Sequence, residues 1–236
     1  MTVEVAILAA GLGSRLGRSL PKPLTELVDG RTIMQQQLEN IEEAFGKEAR
    51  VTIVVGYKVD LIIEAYPENN FVYNEQYDVT NTSKSLLRVL QTSPRKSGVL
   101  WMNGDVVFDP RILVLAKSFI NRDQSFVSVN TSKVSDEEVK YTVSAEGYIK
   151  SLSKTVPLSS ALGEAVGINF ISSKDKDALI RQLKAVDDQD YFERGIELAI
   201  QQNGLLVEPL DISTNDMYAV EIDFDADLVN ANQALR

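Results

Sequence analysis

The chain has 236 residues, 44% of them hydrophobic and 25% charged, with a net charge of −10, which is the balance of a folded globular protein rather than a disordered one. It contains neither cysteine nor histidine, so disulfide staples, thiolate nucleophiles and imidazole bases are excluded, and oxygen-ligated hard metals are the metal chemistry left open. The acid excess disfavours extended contact with nucleic acid or an anionic membrane, and no run reaches the roughly 18 apolar residues of a membrane span. The opening MTVEVAILAAG is too short and too acidic for a secretory signal, so a cytoplasmic enzyme or binding protein is expected.

The first half alternates two periodicities. Near-continuous apolar runs at 3–10, 50–57, 70–74 and 98–105 read as strands buried on both faces, and helical spacing follows at 32–45, 59–66, 83–92 and 110–120. The rhythm then changes. A strand at 125–130 precedes two alternating runs around a glycine within 139–154, which predicts an antiparallel hairpin. A strand at 164–172, helices near 174–184 and 189–203, strands at 205–210 and 218–223, and a terminal helix from about Ala226 complete the chain. Asp225 is placed to cap that last helix. No linker or repeat separates these segments, so they predict one α/β domain, 1–236. It has a mixed, mostly parallel central sheet between helical layers and a β-hairpin insertion, residues 126–236 closing over residues 1–125.

The first strand runs into GLGSRLGRSLPKPL, residues 11–24. Gly11, Gly13 and Gly17 miss the dinucleotide fingerprint because the third glycine falls one residue late, and no GK[ST] step makes a Walker loop. The physical content is nevertheless specific. Two glycines let the backbone approach a ligand, Arg15 can fork onto phosphate oxygens, and Lys22 is a compact cation held between Pro21 and Pro23. In an acidic protein, this is a local site for a polyanion.

These residues carry a resemblance. LAAGLGSRLGRSLPKPL resembles the LAAGxGxRx(n)PKxL signature of the nucleotidyltransferases that join a nucleoside triphosphate to a sugar phosphate or an alcohol phosphate. The resemblance implies a Rossmann-like, GT-A-like three-layer fold. It also implies that Leu8, Ala9, Ala10, Gly11, Leu12, Gly13, Ser14 and Arg15 wrap the triphosphate, and that Arg15 and Lys22 serve catalysis. It implies a Mg²⁺ ion on Asp105, in the Gly104-Asp105 step after a central strand, and on Asp223, in the Glu221-Ile222-Asp223 step before the last helix.

The segment YDVTNTSKSLLRVL, 77–90, resembles the base-side stretch of cytidylyltransferases that activate phosphocholine and related alcohol phosphates, implying that Asn81, Ser83 and Ser85 lie beside a cytosine. The hairpin and the strand GEAVGINFIS resemble the acceptor side of the same subgroup. By that resemblance Lys140 or Lys154 grips the acceptor phosphate, and Glu164 and Gly167 border its pocket. Tyr141, Tyr191 and Glu193 are candidates for holding a cationic acceptor head. The expected reaction is attack of the acceptor phosphate on the α-phosphorus of CTP with loss of pyrophosphate, the halves 1–125 and 126–236 binding nucleotide and acceptor respectively. A sugar-1-phosphate enzyme using UTP, dTTP or GTP, acceptors such as an inositol phosphate, a phosphonate or a polyol phosphate, and a nucleotide-sensing module that runs no reaction are the alternatives.

Overall fold

The computed structural model describes residues 2–13, 16 and 20–236. Strand β1 (Val3–Ala9) is buried along its whole length, as its near-continuous apolar run requires, with Glu4 the one charged residue in it. After the first loop a short 3-10 turn spans Lys22–Leu24, and helix α1 (Ile33–Phe45) starts where the Thr32 hydroxyl accepts the N–H of Gln35. There follow β2 (Ala49–Val55), α2 (Val59–Ala65), β3 (Asn70–Tyr73), α3 (Thr82–Thr92), β4 (Val99–Asn103), β5 (Val106–Phe108) and α4 (Arg111–Asn121). The second half comprises β6 (Phe126–Asn130), β7 (Lys140–Val143), β8 (Ile149–Ser153), β9 (Gly163–Ile171), α5 (Lys176–Ala185), α6 (Phe192–Asn203), β10 (Glu208–Asp211), β11 (Ala219–Glu221) and α7 (Asp225–Ala234).

The main sheet runs β10-β6-β9-β4-β1-β2-β3, with the β7–β8 hairpin attached to β9. Pairing is parallel for β1–β2, β1–β4, β2–β3 and β6–β10 and antiparallel where β9 inserts between β4 and β6. Side chains alternate across it with period two. Val5 and Ile7 of β1 join Met34, Ile41, Ile112 and Leu113 under α1 and α4, whereas Ala6 and Leu8 join Leu86, Leu179 and Phe192 under α3, α5 and α6. The result is a three-layer α/β domain.

Strand order places the crevice. The chain leaves β1 for β2 and β3 on one side and returns to β4 on the other, so loops leaving the carboxyl ends of β1 and β4 diverge. Ligands of open α/β sheets bind at such a switch point.

Three sequence expectations are refined. The run 98–105 stops at Asn103, the chain turns at Gly104-Asp105, and the unforeseen β5 pairs antiparallel with β11 in a separate two-stranded sheet. The 218–223 strand therefore leaves the main sheet. At the last helix, Asp225 is the first helical residue rather than the cap. Asp227 lies half a turn further in, and its carboxylate reaches back to accept the N–H groups of Asp223 and Phe224.

Candidate functional site

The loop after β1 begins at the buried residues Leu8, Ala9 and Ala10 and emerges at Gly11 and Leu12, which are exposed. The N–H of Tyr57 donates to the Ala10 carbonyl at 3.1 Å, tying the loop's start to the end of β2. Gly13 has φ +61°, and a Cβ there would lie 2.8 Å from Cγ of Lys22, so glycine is needed both for the backbone conformation and for the lysine stem beneath it. Ser14 and Arg15 lie outside the described residues.

Gly104 brings Asp105 to this loop. Its N–H donates to the Leu8 carbonyl at 2.9 Å, and a Cβ would meet that oxygen at 2.8 Å and Pro23 at 3.2 Å. A larger residue would force the β4 turn away from β1. The far end of the chain arrives through β11: the N–H of Ile222 donates to the Asp105 carbonyl at 2.9 Å, which sets Asp223 beside Asp105. Lys22, Asp105 and Asp223 thus converge although more than 200 residues separate the first from the last. Nζ of Lys22 donates to Asp105 at 3.0 Å and to Asp223 at 2.5 Å.

Glu221 completes the group, since carboxylate oxygens of Asp105, Glu221 and Asp223 lie within 4.8 Å of one another. Three like charges this close repel unless a cation stands among them. Glu221 is exposed, yet crowding by surrounding protein, and then the charges of Asp105 and Asp223, push its pKa well above the usual carboxylate value. Burial works against a charged Lys22, yet Asp105 and Asp223 outweigh it and raise the ammonium's pKa. Three converging carboxylates without sulfur or imidazole are the donor set of a hard divalent cation, and the residues fit one.

The other candidates divide. Asn81 caps α3, its Oδ1 accepting from Thr82 at 2.8 Å while its Nδ2 donates to the Gln189 carbonyl at 3.2 Å. Ser85 accepts from Asn74, and the buried Ser83 hydroxyl has no hydrogen-bond partner among the described residues. This stretch packs on the turn before α6: the Asn81 N–H donates to the Asp188 carbonyl at 2.8 Å, and the Phe192 N–H donates to the Thr82 hydroxyl at 3.2 Å. Asn81 is therefore engaged with protein through both atoms of its amide.

Of the two hairpin lysines, Lys140 is buried and gives its ammonium to the carbonyls of Asp136 and Glu138 at 2.8 and 3.2 Å, which leaves it a structural task. Lys154 lies 4.9 Å from the Tyr191 ring centre, a cation–π distance, and its charge acts on Glu193. Glu193 is buried, and that burial pushes its carboxyl up to about 7, partly opposed by its own backbone N–H and then by Lys154. Lys154, Tyr191 and Glu193 form one cluster at the start of α6. Tyr141 is instead a core residue, its hydroxyl pushed up to about 12 by burial and then by Asp211. Glu164 is buried, with Oε2 unpartnered among the described residues and its pKa raised by burial. Gly167 has φ +75°, and a Cβ there would lie 2.9 Å from Nδ2 of Asn103.

Sequence patterning singles out neither Glu221 as a member of the carboxylate group nor Gln37. Gln37 of α1 donates to the carbonyls of Asn103 at 2.8 Å and Val106 at 2.7 Å, bracketing the turn that carries Asp105. Its signal was present: Gln37 is a polar residue on the apolar stripe of Ile33, Ile41 and Ala44.

A family model, the MobA-like NTP transferase domain, matches residues 5–166. The bifunctional protein GlmU of Acaryochloris marina is 32% identical over 108 residues, which is 44% of this chain and 23% of that protein. CMP-5'-(3-aminopropyl)phosphonate synthase of Streptomyces rubellomurinus is 35% identical over 120 residues, 47% of this chain and 18% of that one. The match thus spans a quarter or less of these two curated relatives. Among solved structures, the CTP:phosphocholine cytidylyltransferase of Streptococcus pneumoniae superposes over all of both chains with a TM-score of 0.75 at 20% identity, a likeness of fold.

Proposed function

Because the chain belongs to the MobA-like NTP transferase family, we propose that it transfers the nucleotidyl group of a nucleoside triphosphate, CTP by preference, to a small phosphorylated alcohol or a related phosphonate bearing a cationic head. The observation that carries this reading is the meeting of Lys22, Asp105, Glu221 and Asp223 at the switch point between β1 and β4. The preference for CTP and for a cationic acceptor draws on the Lys154, Tyr191 and Glu193 cluster, on the likeness to the phosphonate synthase and on the sequence of the 77–90 stretch.

In the reaction proposed, an oxygen of the acceptor phosphate attacks the α-phosphorus, the new P–O bond forms opposite the breaking α–β bridge, and pyrophosphate leaves with the bonding electrons. A phosphate monoester, with its second pKa near about 6, is already ionised at neutral pH, so no protein base is required, consistent with a chain lacking histidine. The Gly11–Gly13 backbone closes on the triphosphate, and Arg15 is assigned to its oxygens by the sequence resemblance. Lys22 neutralises charge near the reacting phosphorus. Asp105, Glu221 and Asp223 would hold a divalent cation, Mg²⁺ by preference. Such an ion supplies charge neutralisation for the triphosphate. Residues 126–236 would bind the acceptor through Lys154, Tyr191 and Glu193, with Glu164 and Gly167 at the border.

The test is pyrophosphate release from each of the four common nucleoside triphosphates against a panel of phosphorylated alcohols, sugar 1-phosphates and phosphonates. CTP with an amino-alcohol phosphate or aminoalkylphosphonate should be the best pair, and Asp105→Asn should abolish release while leaving the thermal unfolding midpoint in place. UTP, dTTP or GTP with a sugar 1-phosphate as the best pair would overturn the substrate assignment. No release from any pair would favour a nucleotide-sensing module.

A further inference from the structure

The Lys22 ammonium stands within hydrogen-bonding distance of two of the three carboxylates that form the cation site, at 3.0 Å from Asp105 and 2.5 Å from Asp223. Its side chain is only 12% exposed, and it occupies a 3-10 turn whose backbone is restricted by Pro21 and Pro23. A tethered ammonium in that place neutralises carboxylates that would otherwise repel one another, and it competes with any free cation at the high effective concentration of an intramolecular group. Building on the reading that these carboxylates bind a divalent cation, we propose that Lys22 is an exchangeable stand-in for that cation. It keeps the free protein from loading metal by itself and yields the carboxylates only when a triphosphate offers it other oxygens.

The glycine loop supplies the coupling. Gly13 lies over the Lys22 stem, where an added Cβ would come 2.8 Å from Cγ, so glycine at this position leaves the stem room to move between carboxylates and phosphates while the loop stays beside it. The loop expected to close on the triphosphate is thus in contact with the group that blocks the metal. Nucleotide and metal then assist each other's binding, and by linkage the assistance is reciprocal. The same lysine has two uses in this scheme: it is counter-ion to the carboxylates first and counter-ion to the phosphates afterwards.

The experiment measures Mn²⁺ binding to the nucleotide-free protein from the loss of the free-ion electron paramagnetic resonance signal. The unaltered protein should bind weakly. Lys22→Met should bind Mn²⁺ about tenfold tighter or more, because an adjacent positive charge has been removed, and Lys22→Arg, which keeps the charge, should not. Lys22→Gln repeats the measurement should the Met variant fail to fold, and adding Asp105→Asn to either variant should cancel the gain. Equal, tight Mn²⁺ binding by the unaltered protein and by the uncharged variants would overturn the stand-in role while leaving the metal site in place. Absence of Mn²⁺ binding to all of them, with nucleotide present as well, would overturn the metal site itself and the proposal with it.

Discussion

Gln37 grips the turn that presents Asp105: its Nε2 donates to the carbonyl oxygens of Asn103 and Val106, at 2.8 and 2.7 Å, on either side of the Gly104-Asp105 step. Gln36 and Asn40 on the same helix donate to the Phe108 carbonyl, so α1 holds the β4–β5 connection as a unit. Gln37→Met keeps the length of the side chain and removes both bonds, leaving the buried Val106 carbonyl and the part-buried Asn103 carbonyl without that donor. Urea unfolding should report a loss of about 2–4 kcal/mol. If the bonds also position Asp105, Mn²⁺ affinity and kcat should each fall about tenfold or more, whereas the nucleotide KM changes less. Gln37→Glu should not rescue, because a carboxylate would face two carbonyls. Loss of stability with unchanged metal affinity would assign Gln37 a structural task only.

How far such features can be read in the sequence depends on whether they are local. The alternating periodicities of 3–10, 50–57 and 98–105 record burial on both sheet faces, and the glycine loop with Lys22 stands out as a cationic stretch in an acidic chain; both are properties of contiguous residues. Short pairings between distant segments leave no comparable pattern. Strand β5 is three residues long, and its partner β11 lies more than 100 residues away, yet together they bring Glu221 and Asp223 to Asp105. The cap of α7 escapes the sequence for a similar reason. Asp225 and Asp227 both sit near the helix start, and only the direction of the chain entering from β11 decides which carboxylate meets the open N–H groups. Lys140 and Lys154 bracket one hairpin and look alike in sequence, but the 135–138 turn folds over only the first.

That difference between the lysines is measurable. Lys140→Met removes the donor to the Asp136 and Glu138 carbonyls and should lower stability by about 1–3 kcal/mol, with the acceptor KM moving less than about twofold. Lys154→Met should leave the unfolding midpoint within a few degrees and raise the acceptor KM at least about tenfold, since its ammonium rests on the Tyr191 ring beside Glu193. Steady-state kinetics with the acceptor varied at saturating nucleotide checks both. The reverse pattern would move the phosphate contact to Lys140.

Gly167 tests the packing around the β4 end. Its φ of +75° belongs to the left-handed region, and an alanine Cβ would lie 2.9 Å from the Asn103 amide and 3.2 Å from Val106. Gly167→Ala should therefore cost about 1–2 kcal/mol in backbone strain alone and displace the Asn103 side chain, two residues before Asp105. Calorimetry should show the lower unfolding temperature, and turnover should fall at temperatures where the variant is still folded. Full stability would mean that β9 can adjust locally without disturbing β4.

Glu193 gives the pH dependence a definite sign. Burial raises its carboxyl from 4.5 to about 7, so the folded protein retains a proton that the unfolded chain releases. The stability this contributes is fully present below pH 4.5 and is lost as pH rises through 7; above that, the charged, buried form carries the whole penalty, about 3 kcal/mol for a shift of this size. Glu193→Gln should accordingly be more stable than the unaltered protein at pH 8, by up to that amount, and no more stable at pH 4, as read from urea unfolding across the range. The acceptor role proposed for this carboxyl has its own pH signature. A cationic head placed beside Glu193 favours its ionised form, so deprotonation between pH 6 and pH 8 should strengthen binding of phosphocholine relative to glycerol phosphate, whose phosphate titrates in the same range. Glu193→Gln should flatten that difference. If phosphocholine and glycerol phosphate show the same pH profile in the unaltered protein, Glu193 does not meet the acceptor's charge, and the cluster with Lys154 and Tyr191 serves the phosphate alone.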